Sequence, residues 1–68
     1  MAISYDKLWK KLIDKKMNKT QLKESARIST NVVAKLGKNE SVTLESMEKI
    51  CKTLHCNIGD VVEFVSND

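Results

Sequence analysis

Between Lys19 and Leu36 the chain reads KTQLKESARISTNVVAKL, with apolar residues only where two short helices meeting at a tight turn would pack. Leu22 and Ala26 lie four apart, as on one helix face, and Val33 and Leu36 three apart, as on another. Ile28 falls between them, in the turn. Upstream, Leu8 and Leu12, with Tyr5 and Ile13, make the inner stripe of a first helix predicted from about Ser4 to Lys16. Ser4 is its expected N-cap, Asp6 sits in its first turn, and Trp9 borders the stripe as a packing residue.

The same pattern continues in both directions from the turn. Helix two is predicted from an Asn18 cap to Ala26, and helix three from a Ser29 cap to about Leu36, with Gly37 as the glycine that stops it. Thr43 caps helix four, whose inner face holds Leu44, Met47, Ile50, Cys51 and Leu54. Asn57 caps a short fifth helix carrying Ile58, Val61, Val62 and Val65. The expectation is an all-α, five-helix fold, with residues 1–68 as a single domain.

Composition sharpens this picture. The 68 residues include two glycines and no proline, and 31% are charged, which favours helices over a sheet. A chain of this length buries little apolar surface, so it must pack efficiently or gain support from a partner. No stretch approaches the roughly 20 apolar residues that span a bilayer, and MAISYDKLWKKL has no secretory apolar region. The expected location is cytoplasmic, with no membrane contact.

The net charge of +3 is unevenly distributed. Residues 1–38 carry +7, and residues 39–68 carry −4. The positive half contains the helix–turn–helix segment, and a one-sided positive field attracts phosphates.

Counted from Lys19, the apolar residues of that segment occupy positions four, eight, ten, fifteen and eighteen. This spacing resembles the helix-turn-helix of the phage-repressor and Cro family, the Xre-type regulators, in particular its short single-domain subgroup. The resemblance covers nearly the whole chain, because helices four and five match the family's closing pair. It implies a compact repressor-like domain with the DNA-binding corner at helices two and three. It further implies sequence-specific binding of double-stranded DNA as a transcriptional regulator, with the recognition helix, about 29–36, in the major groove.

With Val33 and Leu36 inward, the helical wheel turns Asn31, Ala34, Lys35 and Lys38 outward and leaves Thr30 on the flank. Asn31 is suited to an adenine edge, Lys35 to guanine, and Thr30 and Ala34 to a thymine methyl. The resemblance implies base contacts at these positions. Lys19, Thr20, Arg27, Ser29 and Lys38 are the expected phosphate contacts. Lys7, Lys10, Lys11, Lys15 and Lys16 read as solubility charges. Two positions depart from the family pattern. Arg27 stands where the turn usually has glycine, and Lys23 where a small residue faces helix three.

One recognition helix reads only a few base pairs, so a homodimer on a two-fold site is expected, through the C-terminal helix with Phe64 exposed. The alternative is a protein-interaction module, antitoxin-like or a phage modulator, that uses the fold without strong DNA binding. Enzymatic activity is not expected, because no nucleophile–histidine pair or phosphate-binding glycine loop is present. His55 reads as a helix-end residue. Cys51 and Cys56 are about 140° apart on a helical wheel, and with His55 they fall short of a closed zinc site. They are expected to be free thiols, and no metal or cofactor is expected.

Overall fold

The computed structural model describes residues 2–66. Four α-helices follow one another: α1 (Asp6–Asp14), α2 (Lys19–Ala26), α3 (Thr30–Gly37) and α4 (Leu44–Leu54). A single 3₁₀ turn, Ile58–Asp60, stands where the fifth helix was expected. The chain is mostly helical rather than all-α, because β1 (Ala2–Ser4) and β2 (Glu63–Val65) form a two-stranded antiparallel sheet. Ile3 pairs with Phe64 in its centre. Phe64 and Val65 are aromatic and β-branched and favour this extended pairing over a continued helix.

The caps predicted for α2, α3 and α4 form as read. Asn18 and Gln21 make a reciprocal box: Gln21 N–H donates to Asn18 Oδ1 at 2.7 Å, and Asn18 N–H to Gln21 Oε1 at 2.9 Å. Ser29 Oγ accepts from Val32 N–H, and Thr43 Oγ1 from Ser46 N–H. Ser4 lies in β1 instead of capping α1, and Tyr5 takes the cap position. The Ser4 hydroxyl nevertheless accepts from the Asp6 N–H at 3.3 Å.

All four helices close on a non-glycine residue in the left-handed region: Lys16, Arg27, Asn39 and His55, with φ of 56–57°. After α1, Met17 N–H donates to Leu12 O and Lys16 N–H to Ile13 O, the two bonds of a Schellman closure. After α3 the same pair runs from Glu40 to Lys35 and from Asn39 to Leu36. Gly37 does not stop α3. It is still helical, and Asn39, two residues later, makes the left-handed turn.

The core is one cluster built from Tyr5, Leu8, Leu12, Leu22, Ala26, Ile28, Leu36, Met47, Ile50, Leu54 and Val61. Trp9 packs against its edge, as the sequence implied. Ile13 and Leu44 were expected inside but are 73% and 76% exposed. Ile13 lies five residues from Leu8, about 140° around the helix. Leu44 begins α4, so no preceding turn covers it. Lys7 does more than carry charge: its ammonium donates to Gly59 O at 3.3 Å and lies 3.9 Å from Glu63, which ties α1 to the C-terminal segment.

Candidate nucleic-acid interface

α2 and α3 meet at Arg27–Ile28–Ser29, and the geometry of this corner follows from three residues. Arg27 adopts φ 57°, ψ 44°, the left-handed conformation that a glycine would take without strain. Ile28 is buried and anchors the turn, and its N–H donates to Lys23 O at 3.2 Å. Ser29 is extended and caps α3. Lys23 is half-buried, and its ammonium donates to Thr30 Oγ1 at 3.5 Å, which bridges the helices where a small residue was expected.

α3 presents one polar face. Thr30, Asn31, Ala34 and Lys35 are all exposed, whereas Leu36 is fully buried. Val33, expected to be fully inward, is half-buried, and so is Val32: the two share the contact with the core. No acidic residue occurs in TNVVAKLG, and Lys35 and Lys38 flank its C-terminal turn. Such a face offers amide, hydroxyl, methyl and ammonium groups together, the set used to read base edges.

The expected phosphate contacts fall into two groups. Lys19 stands at the start of α2, with its ammonium 4.7 Å from the centroid of the Trp9 ring. The same ammonium lies 3.7 Å from where a Cβ on Gly37 would be, so it borders the end of α3 beside Lys38. Thr20 is exposed on the same first turn. Arg27 belongs elsewhere. With Lys49 and Lys52 of α4 it lines a cleft of about 520 Å³. The sequence assigned both lysines to the acidic half, and the fold returns them to the positive side. Their spacing of three on a helix was the available signal.

Cys51 and Cys56 are free thiols, and they are not held apart. The wheel ends at His55, where the chain turns left-handed and Cys56 N–H donates to Cys51 O at 3.0 Å. Burial, the adjacent Cys56 thiol and its hydrogen bond, and Asp60 together push the Cys51 thiol up to about 11. No helix among the described residues is long and apolar enough to cross a membrane.

Residues 7–67 match the family model of the Cro/C1-type HTH DNA-binding domain. The chain is 37% identical over 59 residues to the uncharacterized HTH-type transcriptional regulator YozG of Bacillus subtilis (strain 168), covering 84% of this chain and 70% of that relative. It is also similar to the crystal structure of the transcriptional regulator VanUg, Form II. There the identity is 48% and the TM-score 0.88, covering 91% of this chain and 83% of the other.

Proposed function

This chain belongs to the Cro/C1-type helix-turn-helix DNA-binding family, a family of regulators rather than enzymes, and from that premise we propose that it reads a specific double-stranded DNA site through α3 in the major groove and regulates transcription there. One observation carries the proposal. Thr30, Asn31, Ala34 and Lys35 form an exposed row with no acid among them, on a helix fixed from behind by Leu36. Asn31 pairs with an adenine edge, Lys35 with guanine O6 or N7, and Thr30 and Ala34 meet a thymine methyl. Lys19, Thr20, Ser29 and Lys38 hold the phosphates on either side, with Arg27 extending the contact toward Lys49 and Lys52.

The protein acts as a homodimer. The element that supports this is a strand, not the C-terminal helix expected from sequence. Phe64 on β2 is 69% exposed, Ile58 and Leu44 are exposed nearby, and β1 is the sole strand partner of β2 among the described residues. A second copy covering these side chains presents two copies of α3 to half-sites one helical turn apart.

The test is selection of bound duplexes from a random pool at about 150 mM salt, with the double variant Asn31→Ala/Lys35→Ala alongside. A two-fold motif enriched by the native protein and lost in the variant supports the reading. Absence of any enriched sequence with the native protein overturns it.

A further inference from the structure

Three sulfur-bearing side chains, Met47, Cys51 and Cys56, line one cleft along α4 and the turn that follows it. Met47 and Cys51 lie four apart on one helix face. Cys56 joins them through the left-handed turn at His55. Its N–H donates to Cys51 O at 3.0 Å, and the His55 N–H donates to Lys52 O at 3.4 Å. These two bonds are a Schellman closure, which folds the residue after the turn back onto the one three before the helix end. The equivalent positions after α1 are Leu12 and Met17, and they too share one cleft. At α4 the paired residues are both thiols.

Met47, Cys51 and Cys56 line a cleft of about 250 Å³ with Leu44, Glu48 and Ile58. Both cysteines are half-buried and neither is in a disulfide, so the thiols are available yet partly shielded from water. The surrounding donors decide what can bind. No group of three His, Cys, Asp or Glu side chains suited to a metal ion occurs among the described residues. Zinc in a structural site takes four such ligands, so the cleft does not satisfy it. Two thiolates and a thioether are instead a soft donor set, which favours a d¹⁰ monovalent ion.

We propose that this cleft binds one soft monovalent metal ion of the Cu⁺ or Ag⁺ class, ligated by the sulfurs of Cys51 and Cys56 with the Met47 thioether as third donor. Binding displaces both thiol protons: one cation and two thiols give an anionic bis-thiolate complex and two protons in solution. No electron is transferred. The apolar walls from Leu44 and Ile58 shield the sulfurs from water around the ion.

The test uses the whole protein, kept anaerobic with a phosphine reductant, titrated with Cu⁺ against a chromophoric Cu⁺ chelator and weighed by native mass spectrometry. One Cu⁺ per chain is expected to survive the chelator. Cys51→Ser and Cys56→Ser each weaken retention by more than about 100-fold, and Met47→Leu, a volume-conserving change, by about tenfold. Circular dichroism confirms that each variant remains helical, which separates loss of the site from loss of the fold. The proposal is overturned if the native protein retains no stoichiometric Cu⁺, or if folded Cys56→Ser retains it as tightly as the native chain. The readout involves no DNA, so it stands or falls independently of the regulatory function.

Discussion

The Tyr5 hydroxyl donates a 2.7 Å hydrogen bond to the main-chain carbonyl of Glu40, thirty-five residues further along the chain. Tyr5 is 1% exposed, and its own N–H reaches Asn39 Oδ1 at 3.4 Å. The residue at the start of α1 thus fixes the loop that leads from α3 into α4. Tyr5→Phe keeps the ring in the core and removes only this bond. A loss of about 1 kcal/mol is expected. In a domain of this size that lowers the melting temperature by about 4–8 °C, measured calorimetrically.

Arg27→Gly is expected to move stability and DNA affinity in opposite directions. The left-handed conformation of Arg27 costs about 1–2 kcal/mol in a non-glycine residue, while glycine restores about 0.5–1 kcal/mol of unfolded-chain entropy. The net gain of about 0.5–1 kcal/mol appears as a higher urea midpoint. Loss of the guanidinium weakens binding to DNA of any sequence. A lower urea midpoint in Arg27→Gly shows that the side chain, not the backbone, decides stability at the corner.

Asn31 and Lys38 are expected to separate reading from holding. Asn31→Ala lowers affinity for the selected site by about 1–3 kcal/mol and leaves binding to unrelated duplexes unchanged. Lys38→Ala weakens binding to all duplexes alike and reduces the slope of log affinity against log salt by about one. Fluorescence anisotropy at four salt concentrations distinguishes the two behaviours.

Phe64→Glu is expected to yield a monomer without unfolding the chain, because Phe64 contributes nothing to the buried cluster. A charge in place of a buried phenyl ring costs an interface at least about 2 kcal/mol. Sedimentation velocity reads the change directly. If native protein and variant sediment identically as dimers, association uses another surface.

Stability is expected to fall at alkaline pH through two groups. Burial raises the Tyr5 phenol above 10.0, and the Cys51 thiol stands at about 11 rather than 9.0. Both keep their protons in the folded chain after the unfolded chain has released them. Their contribution is complete below pH 9 and is lost as pH rises through the folded values. Urea midpoints from pH 8 to 10.5 measure the decline, which is shallower in Cys51→Ser. An identical decline in that variant removes the thiol from the account.

The corner was legible because its side-chain pattern and its caps agreed. Leu22, Ala26, Ile28 and Leu36 are all buried, and Asn18 and Ser29 both cap as read. The resemblance marked Arg27 as standing where a glycine is usual, and the left-handed turn is found there. The pairing of Ile3 with Phe64 was not legible, because it joins residues from opposite ends and neither segment is long enough to show alternation. Helix ends misled for a related reason. The wheel assumes that the helix continues, and at His55 it stops, which is why Cys56 meets Cys51. Gly37 drew the stop signal by composition, while Asn39 supplied the geometry. The base-reading row was legible only as an exposed face; the spacing of Lys49 and Lys52 placed them on one helix face, but only the packing of α4 brings that face beside Arg27.

The antiparallel register of β1 and β2 sets Ala2 opposite Val65, one strand spacing apart. The two ends of the described chain therefore leave from the same edge, and the fold is topologically close to a ring. A short linker from Ser66 back to Ala2, with a new opening after Ser41, would preserve every helix and the Tyr5–Glu40 bond.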